Sequence, residues 1–268
     1  MMALTKITTV VVLALIGGAC LYGQTNVLDS DPIAARRRLV FSELGGYVGV
    51  GANSQGGTFT TSCNCEFSGG GGAGILVGAI FERLTRSTIV WGATLGYEGR
   101  SITSKFREIE GVVQRSPSGR DFTVPITFLH EADVQLGVVT LMPFVKYTFF
   151  EGIFGRLGGS VGYVFTSNLI HTKTLETTEV TFPNGETASV SLAGQTGSTV
   201  ILEDGPVSEL SALQIGLVPA VGMDIRISKK MFLSPIFQYM VPITTISAQG
   251  AGFSVRSFQF SLELRHIL

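Results

Sequence analysis

From residue 43 onward the chain alternates between apolar and polar or small residues. Near its end, Phe258, Phe260, Leu262 and Leu264 are interleaved with Ser257, Gln259, Ser261, Glu263 and Arg265. A helix would smear these charges around its apolar face, whereas a strand sends the two sets to opposite sides. Leu213, Ile215, Leu217, Pro219, Val221, Met223, Ile225 and Ile227 likewise oppose Gln214, Gly216, Val218, Ala220, Gly222, Asp224 and Arg226. The same period predicts strands at about 43–53, 74–84, 88–100, 138–149, 154–166, 213–227, 231–243 and 256–268, eight in all.

Each segment reaches the roughly 9–11 residues that a tilted strand needs to cross a bilayer. Ile89, Trp91, Ala93, Leu95 and Tyr97 share one face, opposite Gly92, Thr94, Gly96, Glu98 and Arg100. Leu157, Val161, Tyr163 and Phe165 oppose Arg156, Gly158, Ser160 and Gly162. A face crowded with glycine suits the cramped interior of a narrow barrel better than the solvated side of a sandwich. The links fall into two classes. Those at 85–87, 150–153 and 228–230 are short; those at about 54–73, 101–137, 167–212 and 244–255 are longer. Short turns at one rim and long loops at the other are how outer-membrane barrels are wired, with both chain ends at the periplasmic rim. Tyr147, Phe149, Tyr163 and Phe165 stand near strand ends, where interfacial aromatic girdles belong. The predicted fold is all-β: an eight-stranded antiparallel transmembrane β-barrel, an up-and-down meander.

Composition narrows the class. The 268 residues include 34 glycines, and only 15% are charged. Mean hydropathy is +0.39. So little charge excludes disorder, and the absence of a Gly-X-Y period excludes collagen. A net charge of −1 argues against nucleic acid as a partner. One positive charge at Lys6, the apolar stretch 7–16 and the small residues Gly17, Gly18 and Ala19 form the pattern of a secretory signal. Cleavage is expected after Gly23, with a lipid-modified Cys20 as the competing reading. The domains are then a signal peptide at 1–23, a periplasmic segment at 24–42 and the barrel at 43–268.

Candidate chemistry is sparse. Cys63 and Cys65 form a Cys-Asn-Cys pair in an exported chain, which points to a local loop disulfide. The histidines, His130, His171 and His266, are scattered, so neither a metal nor another cofactor is expected. Gly69 to Gly72 lack the following GK[ST] of a phosphate loop and read as a flexible part of the 54–73 link. His130-Glu131 is the one histidine beside a carboxylate, too little to predict catalysis. Alternation places Glu43, Glu82, Lys146, Arg156, Asp224, Arg226, Glu263 and Arg265 inside, toward the periplasmic ends of their strands. Charges in a narrow lumen must pair, so these eight are expected to form a salt-bridge plug, with Glu98 and Arg100 as a smaller pair above it.

The runs Thr140-Leu-Met-Pro-Phe-Val-Lys-Tyr-Thr-Phe149, Gly155-Arg-Leu-Gly-Gly-Ser-Val-Gly-Tyr163 and Gly216-Leu-Val-Pro-Ala-Val-Gly-Met-Asp224, with Ser228-Lys-Lys230 and 257–265, carry a resemblance. The chain resembles the small outer-membrane β-barrels labelled porin-family or PorT-like, akin to the OmpA transmembrane domain, over most of 43–268. It departs from them in showing Leu268 where a final aromatic is usual, and peptidoglycan binding of the kind OmpA performs is not expected. The resemblance implies an outer-membrane location in a Gram-negative envelope, with outer-membrane lipid and the barrel-assembly machinery as partners. The expected function is non-enzymatic: a structural or surface-binding barrel with a filled lumen, its loop ligand unspecified. A PorT-like part in a secretion machine and a lipid-acyl enzyme are the alternatives.

Overall fold

The computed structural model describes residues 41–61, 63–85, 88–150, 152–192 and 197–268. The expected signal peptide, Cys20 and residues 24–40 lie outside them.

Eight antiparallel strands close into a ring, numbered here in chain order: β1 (Ser42–Gly56), β2 (Gly70–Leu84), β3 (Ile89–Arg115), β4 (Asp121–Thr148), β5 (Ile153–Leu175), β6 (Leu213–Met223), β7 (Met231–Pro242) and β8 (Ser254–Ile267). Each pairs with its neighbour in sequence. β8 returns to β1, in register from Glu43 opposite Ile267 to Gly56 opposite Ser254. A closed ring leaves no barrel edge unpaired. The order is the up-and-down meander that the period of two implies.

The two faces are those of a membrane barrel. Val48, Val50, Ile75, Leu95, Leu141, Leu157, Val161, Leu217 and Phe258 are exposed, while Glu82, Lys146, Arg156, Glu263 and Arg265 are at most 3% exposed. In water this distribution would be inside out; against lipid tails it is the stable one. The apolar belt also has limits. Outward positions of β3 run Ile89, Trp91, Ala93, Leu95 and Tyr97, then turn to Gly99, Ser101, Thr103, Lys105 and Arg107. Tyr97 and Phe165, with ring centroids 5.8 Å apart, mark the upper border; Tyr147 and Phe149, 5.1 Å apart, mark the lower. The lower turn between β4 and β5 uses Gly152 at φ +81°, a conformation that other residues adopt only under strain.

Above the belt, β3, β4 and β5 continue as a sheet standing clear of the ring. β3 and β4 pair without interruption to a tip at Arg115 opposite Asp121, so much of the 101–137 link is strand. Thr199–Gly205 adds to the free edge of β5, and Glu179–Thr181 pairs with Thr187–Ser189. This extension has its own small core of Val124, Ile126, Phe128, Leu175, Val180 and Phe182.

A bulge separates barrel from extension. Val138 pairs with Val164 and Gly137 with Thr166, leaving an extra residue in β5. One extra residue exchanges the two faces of a strand. Below the bulge the even positions of β5 face inward; above it Leu169, His171 and Leu175 do.

The 54–73 link departs from its expected flexibility. Gly70, Gly71 and Gly72 belong to β2, and Phe59–Thr60 pairs with Glu66–Phe67 in a hairpin folded over the barrel mouth. Phe59 and Phe67 stack at 5.0 Å, and Phe253 lies 4.8 Å from Phe59. Two buried phenylalanines cannot be left in a solvated loop without losing roughly 1.5–3 kcal/mol each, so the segment turns inward as a cap.

Candidate functional site: a filled lumen and an outer pocket

The lumen is closed first by charge. Register sets Glu43 on β1 directly beside Glu82 on β2, and Lys146 on β4 beside Arg156 on β5. Like charges adjacent on a ladder repel, so the attractive pairs are made elsewhere: most reach across the lumen, and Arg265 also reaches diagonally to Glu43 on the neighbouring β1. Lys146 Nζ lies 2.8 Å from Glu82 and 2.9 Å from Asp224. Arg156 holds Glu263 at 2.7 Å and Glu82 at 3.3 Å. Arg265 donates to Glu43 at 2.9 Å and also meets Glu82 and Asp224. Ser234 Oγ donates to Asp224 at 2.7 Å. The cations are further held by aromatic faces: the Arg156 guanidinium sits 4.1 Å from the Phe144 ring centroid, and Lys146 Nζ 4.4 Å from that of Phe154.

Seven of the eight residues assigned inside by alternation therefore meet. Arg226 does not. β6 ends at Met223, and the chain resumes pairing at Ile225–Arg226 after Asp224 donates its N–H to the Gly152 carbonyl at 2.6 Å. Arg226 keeps the register of β6, opposite Phe232, but stands beyond the lumen at the exposed rim, where it donates to the carbonyls of Ser228 and Lys229 at 3.1 and 3.0 Å. With water available there, a cation gains nothing by entering a dry lumen. Four carboxylates thus meet three cations.

Higher up, Arg100 Nε donates to Glu98 at 3.0 Å, and Gln259 reaches the same carboxylate at 3.4 Å. Cavities of only about 20 and 10 Å³ remain between these layers, room for about one water molecule each. At the mouth the cap closes the barrel with an apolar cluster that joins Phe59, Phe67 and Phe253 to Ile102, Val134, Val138, Val164 and Val255.

No protein-family model and no curated protein matches this chain. Among solved structures it is similar to Neisserial surface protein A, at 11% identity and a TM-score of 0.32, covering 82% of this chain and 96% of that one. It is similar to Ail, the attachment invasion locus protein of Yersinia pestis, at 10% identity and a TM-score of 0.32, covering 84% and 98%. The outer membrane protease OmpT of Escherichia coli gives 10% identity and a TM-score of 0.30, covering 85% and 97%. Likeness this distant assigns no family and transfers no activity.

Outside the belt, a second group of polar residues is assembled by the fold alone. Cys63 and Cys65 are joined by a disulfide at the tip of the cap hairpin. His130 on β4 and His171 on β5, scattered in sequence, meet with Nδ1 of the first 3.0 Å from Nε2 of the second. His171 Nδ1 lies 3.0 Å from the Thr61 hydroxyl. The His130 ring stacks on Phe106 at 4.7 Å. Burial pushes the His171 imidazole down to about 4, with His130 and Lys173 adding to the shift and Glu203 opposing it. Burial and Lys173 also lower His130, against Glu108 and Glu110. Both rings are neutral at pH 7. Glu131, the sequence neighbour of His130, points elsewhere and pairs with Lys105 at 2.9 Å. Sequence reading missed the group because the bulge in β5, which brings His171 inward, leaves no mark on the alternation.

Proposed function

We propose that this chain is an exported integral outer-membrane protein whose barrel is closed to diffusion and holds a β-structured extension above the membrane as a non-enzymatic binding surface. One observation carries the reading. Six buried charges on β1, β2, β4, β5 and β8, with the partly exposed Asp224 at the end of β6, lock the strands together at one end of the lumen, and an apolar cap fills the other. An open pore needs a hydrated path, and an eight-stranded ring has no width to spare once its side chains are packed. The apolar belt, the short lower turns and the aromatic borders support the membrane placement. The extension supports the surface role: it is stitched by exposed bonds such as Arg107 to Glu176 at 2.8 Å and the Ser118 hydroxyl to Glu186 at 2.9 Å, and such a stiff platform costs little further ordering when it binds.

The test is electrical. Purified protein inserted into planar bilayers is expected to give a conductance indistinguishable from bare membrane. A steady large conductance would overturn the closed-barrel reading. Labelling of Lys105 on intact cells by a membrane-impermeant amine reagent is expected, and its absence together with fractionation away from the outer membrane would overturn the placement.

A further inference from the structure

On the inner side of the extension, β3 presents Glu108 and Glu110 two residues apart, hence on one face of the strand. His130 lies on the adjacent strand, opposite Phe106. The three bound a cavity of about 550 Å³, also lined by Glu66, Lys173 and Leu202 and by the disulfide. The ligand atoms of Glu108, Glu110 and His130 all lie within 4.8 Å of one another. His130 is 2% exposed, and its Nε2 has no hydrogen-bond partner, although it faces the Glu108 carboxylate at 3.4 Å.

That separation is informative. It is long for a hydrogen bond. It matches two ligands of one small ion: with metal–nitrogen and metal–oxygen bonds near 2.0–2.2 Å at a tetrahedral angle, the donor atoms stand about 3.3–3.5 Å apart. The other side of the ring supplies the tautomer. If His171 donates from Nδ1 to Thr61, its Nε2 accepts the proton of His130 Nδ1, and His130 Nε2 carries a lone pair aimed into the cavity. A histidine that ligates metal commonly has its other nitrogen fixed in this way.

We propose that Glu108, Glu110 and His130 form a binding site for a divalent transition-metal ion of the zinc type, open to the outside medium. The donor set selects the class. An imidazole disfavours calcium and magnesium, which take oxygen ligands, and two carboxylates disfavour a soft monovalent ion. The thiols do not contribute, because they are oxidised to the disulfide. Lys173, whose Nζ pairs with Glu110 and lies 4.0 Å from the Phe128 ring centroid, is the internal competitor for the carboxylates. The remaining coordination positions are left to water or to a group on a partner molecule.

The experiment is a titration of the intact, oxidised barrel in detergent with Zn²⁺ alone, read by calorimetry and by equilibrium dialysis. One ion per chain is expected. Glu110→Gln and His130→Gln should each weaken binding at least roughly tenfold, and Lys173→Met should strengthen it. Glu108 and Glu110 are partly exposed, so Glu108→Gln/Glu110→Gln keeps the fold, as checked by heat-modifiable migration, and must still lose the ion. The absence of saturable binding overturns the proposal, as does affinity unchanged in the double glutamine variant. Cobalt in place of zinc gives a further arm: a sulfur-to-metal charge-transfer band, lost in Cys63→Ser/Cys65→Ser, would show that thiolates hold the ion and would overturn the site as drawn.

Discussion

Arg156 and Glu263, 107 residues apart in sequence, meet across the lumen with Nη1 2.7 Å from Oε1 and Nη2 2.9 Å from Oε2. Both are nearly inaccessible, so neither charge has water as an alternative partner. Arg156→Met leaves Glu263 with only the Arg265 Nε at 3.8 Å, takes one of three cations from Glu82, and is expected to cost about 3–5 kcal/mol. Arg156→Met/Glu263→Met removes both members and should recover most of that loss. Urea unfolding in detergent, followed by the loss of heat-modifiable migration, measures both. A double variant no better than the single would refute this account of the pair.

Glycine on the inner face is a packing requirement. A Cβ on Gly78 would lie 2.6 Å from the Gly96 Cα and 2.7 Å from Tyr47 Cε1, whereas nothing stands within 4 Å of a Cβ on Gly159. Gly78→Ala is expected to destabilise the barrel by about 1–3 kcal/mol, the usual penalty of overpacking. Gly159→Ala should be neutral. The same unfolding assay compares them, and equal effects would contradict the assignment of faces.

The outer pocket carries a pH dependence. His171 is held down to about 4 against an ordinary 6.5. In that interval the unfolded chain binds the proton and the folded one does not, so stability is fully present above pH 6.5 and falls as pH drops toward 4. Up to about 3 kcal/mol is at stake, and His130, lowered in the same direction, adds to it. Hydrogen exchange of the cap between pH 6.5 and 4 should show this opening, and His171→Gln should flatten the slope. An unchanged slope in that variant would remove His171 as its source.

Phe67 is 1% exposed and contacts Phe59, Phe106 and His171. Phe67→Ala is expected to cost the cap about 3–5 kcal/mol. Faster amide exchange over 58–67 with unchanged migration of the barrel would show that the loss is confined to the mouth. Loss of the whole barrel would show that the cap is part of its folding unit.

The alternation along 43–268, clearest in 257–265 and 213–227, was enough to place eight strands and to say which residues face lipid, because side-chain direction in a strand is a local property of the backbone. The inward assignment of Glu82, Lys146, Arg156, Glu263 and Arg265 was legible for the same reason. Their partners were not. Lys146 and Arg156 stand side by side on the ladder, and only closure of the ring sets acids opposite them. Arg226 escaped because it lies one step past Asp224 at the open rim, where the carbonyls of the next turn and water take the cation. The cap at 59–67 and the meeting of His130 with His171 depend on a folded-in loop and on one extra residue in β5. Sequence by itself therefore determined the strands and their two faces, which follow from the period of the chain. The tertiary structure alone decided which charges pair, what seals the mouth and where an outer site forms, because each of these is a distance between segments that no local repeat encodes.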